Sequence, residues 1–105
     1  MRSITILIAA LAAALGASTA AGQAQDPNLA RNLAATCANC HGTNGVSQGG
    51  TDSLAGAGRD DMIRMMKEFK AGTRPGTIMP QLAKGYTDAQ IELVAGWFAA
   101  QKPAK

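Results

Sequence analysis

Cys37-Ala38-Asn39-Cys40-His41 constrains this chain more than any other feature, because both cysteines of the 105-residue sequence and its only histidine stand in those five positions. Three chemistries use paired cysteines at this spacing. A thiol–disulfide redox pair expects a βαβ setting, and no segment here alternates with the period of a strand. A structural zinc site needs four ligands, and no second Cys or His pair exists in the sequence. Covalent haem attachment needs what is present: two thiols about a helical turn apart, each adding to one vinyl group of a porphyrin, then an imidazole for the iron. The motif therefore points to one covalently attached haem c, with Cys37 and Cys40 as the attachment residues and His41 as the proximal ligand.

Composition supports a fold built around a cofactor. Phe, Trp and Tyr total only four, a thin supply of large side chains for a core. A small domain of this kind usually needs a staple. Met1-Arg2, the apolar run 4–15 and the small residues 16–22 read as a secretory signal peptide, residues 1–24, cleaved between 20 and 24. The alternative is an uncleaved anchor, although the apolar run falls short of the roughly 20 residues a spanning helix requires. A single arginine precedes the run, so the twin-arginine route is not indicated. Export would deliver the domain, residues 25–105, to the periplasm, an oxidising compartment, with no membrane span after processing. The formal charge of +3 falls to +2 with the loss of Arg2. That is too weak to argue for nucleic acid, and no basic cluster with interleaved aromatics is present. A multidomain enzyme, a coiled coil and a multispan membrane protein are excluded by length and pattern.

The exported part reads as three helical stretches joined by glycine-rich connections, an all-α domain. Asp26-Pro27 is a helix start, with Leu29, Leu33 and Ala34 at helical spacing as far as Cys40-His41-Gly42. Six of the seventeen residues from Gly42 to Gly58 are glycine, so this stretch is loop, and a loop that long in a small domain tends to be functional. A second helix is predicted from Asp60-Asp61 to about Ala71. Its apolar face is either Ile63, Met66 and Phe69 or Met62, Met65 and Phe69, and Gly72 is its cap. The third starts at the capping box Thr87-Asp88-Ala89-Gln90, buries Ile91, Val94, Ala95 and Phe98, and ends before Pro103.

With His41 as one ligand, a sixth ligand to iron must be a methionine, a lysine or nothing. Met62, Met65 and Met66 fall inside the second helix, where methionine commonly fills a core against the cofactor. Met79 lies in the irregular stretch Gly76-Thr77-Ile78-Met79-Pro80, 38 residues beyond His41, far enough along the chain to pass around a porphyrin. Pro80 discourages helix at Met79. Lys84 would have to lose a proton and bury its amine to serve.

Cys37–Gly42, Ser53-Leu54-Ala55-Gly56 and the run Met79–Asp88 resemble the class I c-type cytochromes, and the likeness spans the whole exported chain. The stretch Phe69–Met79 with the helix after it is similar to the cytochrome subunit of flavocytochrome c sulfide dehydrogenases. The resemblance implies a small class I cytochrome c fold of three or more helices wrapped around one covalently bound haem. It places the attachment on Cys37 and Cys40, the proximal ligand on His41 and the distal ligand on Met79. Relatives often carry proline before the Ser-Leu-Ala-Gly segment, in the loop whose carbonyl braces the histidine Nδ1–H. Here Asp52 stands there, which leaves the bracing acceptor open. Many such subunits hold two haems, and this chain has one motif.

The implied function is single-electron transfer between redox partners without bond-making at the iron, as an electron carrier and not an enzyme. The chain would serve either as the haem subunit of a flavoprotein sulfide dehydrogenase or as a free-standing soluble carrier. A third class, a small-ligand-binding haem protein with an open sixth site, is the remaining alternative. Arg59, Arg64, Lys67, Lys70, Arg74 and Lys84 are either a steering surface for an acidic partner or an ordinary solvated face. Arg74 is in addition a candidate partner for a haem propionate. Trp97 and Phe98 are expected to pack the last helix on the first.

Overall fold

The computed structural model describes residues 26–103. The predicted signal peptide, residues 1–24, and its expected cleavage region lie outside the described residues. The order is α1 (Leu29–Ala34), a 3-10 turn (Ala35–Cys37), α2 (Ala38–His41), a second 3-10 turn (Thr43–Gly45), α3 (Arg59–Ala71), α4 (Met79–Ala83) and α5 (Asp88–Ala99). Among the described residues there is no strand, and no helix is long and apolar enough to cross a membrane.

The first predicted helix is present but divided. The Asp26 carboxylate accepts from the Asn28 N–H at 2.9 Å, and regular helix begins at Leu29. The path then tightens to 3-10 geometry at Ala35–Cys37 and returns to α at Ala38. Thr36 sits in that tight turn, its hydroxyl 2.9 Å from the Tyr86 hydroxyl and 3.5 Å from the Leu33 carbonyl. A β-branched side chain bonding back to the preceding turn competes with regular helix, which accounts for the break.

Helix α3 matches its predicted span. Asp60 and Asp61 lie in its first turn, and Gly72, at φ 79°, caps it in the left-handed conformation. Neither candidate apolar face holds as a unit, because each is divided between the core and the cavity. Met62 is buried in the core, with Ile63 and Met65 packed around it, while Met66 and Phe69 turn to the cavity described below. Helix α5 opens on the predicted capping box: Gln90 N–H donates to Thr87 Oγ at 3.1 Å and Thr87 N–H to Gln90 Oε1 at 2.9 Å. Ile91, Val94, Ala95 and Phe98 are all buried. Helix α5 is the hub, packing on α1 at one side and α3 at the other, and α3 in turn carries α4. Phe98 and Ile91 are the largest fully buried side chains, each worth about 1.5–3 kcal/mol of transfer free energy. Phe98 and Ala34 of α1 belong to one buried core, and Trp97 lies edge-on to the Phe98 ring at 5.0 Å.

Helix α4 departs from the sequence expectation. Met79 is its first residue, not part of an irregular stretch, and Pro80 follows at the next position. Proline in the first turn lacks only an N–H that would have no helical acceptor, so Pro80 starts this helix and does not prevent it.

Candidate cofactor site

The 3-10 turn ending at Cys37 and helix α2 together present Cys37, Cys40 and His41 along one short stretch, and the chain must turn sharply straight afterwards. Gly42 makes that turn at φ 84°, and a Cβ there would fall on the Val46 carbonyl oxygen. Neither cysteine is in a disulfide; Cys37 is half-buried and Cys40 exposed. Burial pushes the Cys37 thiol above its ordinary pKa, the Thr36 hydrogen bond opposing it.

His41 is held from behind. Its Nδ1 lies 2.6 Å from the backbone carbonyl of Asp52. A carbonyl can only accept, so Nδ1 carries the ring proton and the lone pair stays on Nε2. This answers the question of the acceptor left open by the sequence: Asp52 supplies it through its main chain, where the side-chain identity is immaterial.

Cys37, Cys40 and His41 form one wall of a cavity of about 340 Å³. Met66 and Phe69 of α3 close a second side, and Ile78, Met79 and Leu82 of the α4 region a third. All four residues singled out from the sequence therefore line one cavity. The lining is mostly apolar with a few polar groups, as cofactor pockets are, and the cavity occupies the space a core poor in aromatics leaves unfilled. Two free thiols, a lone-pair imidazole and a thioether around an apolar cavity form a donor set that fits haem c.

Tyr86 and Thr36 also line the cavity and were not legible in the sequence. The Tyr86 hydroxyl, 2.9 Å from Thr36 Oγ and 3.4 Å from the Leu33 carbonyl, ties the entry to α5 to the residue just before Cys37. That pairing joins positions 50 apart, for which no local signal exists. Arg74, a candidate propionate partner, instead pairs with Glu68 at 3.1 Å and lies 5.5 Å over the Phe69 ring. Arg64 and Arg74 together hold the Glu68 carboxyl below the usual carboxylate range.

No family model matches the chain. It is 39% identical over 66 residues to the cytochrome subunit of sulfide dehydrogenase from Chlorobaculum tepidum, covering 63% of this chain and 60% of that protein. It is 31% identical over 99 residues to cytochrome c4 of Azotobacter vinelandii, covering 85% of this chain and 47% of that protein. The chain is a class I c-type cytochrome. Its cofactor is covalently bound haem c. This cytochrome is also 29% identical over 101 residues to the thiosulfate dehydrogenase electron acceptor of Thiomonas intermedia, across 94% of this chain and 44% of that protein. It thus spans 60% of the first of these relatives and about half of the other two.

Proposed function

We propose that this cytochrome is an exported, periplasmic single-electron carrier in which Cys37 and Cys40 hold the haem through thioethers and His41 and Met79 are its axial ligands. The observation that carries the reading is the gathering of these four residues around one apolar cavity with His41 fixed in its Nδ1–H tautomer. Haem c supplies a one-electron ferric/ferrous couple, and methionine as one axial ligand raises its potential. The chain's own part is to hold, orient and exclude water. Asp52 holds the imidazole proton on Nδ1, Pro80 starts the short helix that carries Met79, and Met66 and Phe69 keep the cavity apolar.

Two features of the cavity rim suit a protein partner. Ile78 and Leu82, 57% and 50% exposed, are the large apolar side chains left uncovered among the described residues, and both line the cavity. Of six basic residues considered for steering, Arg59, Arg64, Lys70 and Arg74 are in ion pairs, Lys70 with Asp88 at 3.2 Å. Lys67 and Lys84 form none among the described residues, and Lys84 directly follows α4. Lys84→Glu is therefore the clean test of steering, whereas reversal at Lys70 also breaks a structural pair. Electron entry measured by stopped flow should slow severalfold at low ionic strength and recover with salt as screening grows. No change at any ionic strength would place docking elsewhere.

The relative from Chlorobaculum tepidum favours a role as the haem subunit of a sulfide dehydrogenase, with electrons arriving from a flavoprotein partner. The electron acceptor from Thiomonas intermedia favours a free-standing carrier serving another sulfur-compound dehydrogenase. Purification from the host separates them: a flavoprotein retained in stoichiometric amount supports the first, and a monomeric cytochrome reduced in passing supports the second.

A further inference from the structure

Residues 47–53 carry the acceptor for His41, yet no backbone–backbone hydrogen bond of the described residues begins or ends within them. Gly49 and Gly50, at φ 128° and 77°, lie at the outer end, and a Cβ on either would meet nothing within 4 Å. A stretch with two unpacked glycines and no ladder has little of its own to fix a carbonyl in place. What closes it is side-chain chemistry. Ser53 Oγ accepts the Ser47 N–H at 2.9 Å, joining the two ends of the loop. Ser47 Oγ accepts the Gly49 N–H at 3.1 Å, bracing only the outer limb. Beyond the neck the chain is anchored again, the Leu54 N–H donating to the Gly45 carbonyl at 2.8 Å. Asp52, whose carbonyl holds His41 Nδ1–H at 2.6 Å, is thus the residue next to the clasp.

We propose that Ser53 is a positioning residue for His41: its hydroxyl closes the neck of the 47–53 loop, holds the Asp52 carbonyl on the imidazole Nδ1–H, and so sets the donor strength of His41 toward the haem iron. The inference rests on His41 being the proximal ligand. A carbonyl bond to the far nitrogen makes a ligating imidazole a stronger donor, which favours ferric iron. A loosened carbonyl weakens that donation and raises the potential. Ser53 is exposed, so its truncation opens no cavity in the core.

The test uses the haem-loaded full chain, with the potential measured by redox titration and the solvent exchange of His41 Nδ1–H followed by NMR in the ferrous state. Ser53→Ala should shift the ferric/ferrous equilibrium toward ferrous about threefold, the scale of one ordinary hydrogen bond, equivalent to about 28 mV for a one-electron couple. It should also speed Nδ1–H exchange about tenfold. Ser53→Thr, which keeps the hydroxyl, should restore both values. Ser47→Ala keeps the N–H that Ser53 holds, so it should leave the potential unchanged. Parent-like potential and exchange in Ser53→Ala would overturn the proposal, as would a Ser53→Thr protein that behaves like the alanine variant. Absence of a His41 ring signal displaced by the porphyrin ring current in the unsubstituted ferrous protein would instead remove the ligand assignment itself.

Discussion

Replacing Met79 with alanine is expected to open the sixth position of the iron. The ferric spectrum should lose its methionine–iron charge-transfer band, and carbon monoxide should bind the ferrous protein readily. The potential should fall by about 100 mV or more, a modest part of the roughly 0.8 V that axial ligands span. Met66 is the informative control, because it lines the same cavity as Met79 and is also a thioether. Met65 packs against the core instead. If Met79 is the ligand, Met66→Ala and Met65→Ala keep the band and nearly the parent potential. A Met79→Ala protein that kept the band would transfer the assignment to Met66. The steric cost of truncating a half-buried methionine is not enough to confuse the result, since the band reports the iron–sulfur bond and not stability.

Gly42→Ala is expected to have the largest effect on folding. The φ of 84° disfavours any L side chain, and the added methyl would collide with the Val46 carbonyl, a backbone atom that cannot swing aside. Strain and overpacking together cost about 4 kcal/mol, against a total of roughly 5–15 kcal/mol for a domain. The same residue ends the stretch holding Cys37, Cys40 and His41, so relief of the clash would displace His41 from Asp52. Thermal melting of the haem-loaded protein should fall by some 15 °C or more, with a lower yield of loaded chain. A melt within a few degrees of the parent would mean that the turn after His41 is far more pliable than its geometry indicates.

The parts legible in the sequence were those whose physics is local. The stripe Ile91, Val94, Ala95 and Phe98 and the Thr87–Gln90 capping box are helical periodicity and adjacent hydrogen bonds, and both hold. The attachment motif is five consecutive residues. What the sequence did not show depends on partners distant along the chain or on main-chain atoms. The Asp52 brace was obscured because the expected proline is absent, although a backbone carbonyl serves whichever side chain it belongs to. The Thr36–Tyr86 contact closes 50 residues of chain. Pro80 discourages helix at the residue before it, yet a proline in a first turn equally marks a beginning, and Met79 opens α4. The methionines of α3 had two defensible faces in the sequence, and packing between the core and the cavity divides both, Met62 inward and Met66 toward the site.

Covalent attachment of one haem is read out by intact mass under denaturing conditions, on protein expressed with its leader in a host competent for cytochrome c maturation. The expected product is a chain beginning between Ala21 and Gln25 that carries the mass of one haem and keeps it in acidified organic solvent. Peptide mapping should place that haem on the segment containing Cys37 and Cys40, and Cys37→Ala/Cys40→Ala should return the mass of the bare polypeptide. Haem released intact from the unsubstituted protein by the solvent, leaving both thiols free to alkylate, would contradict it.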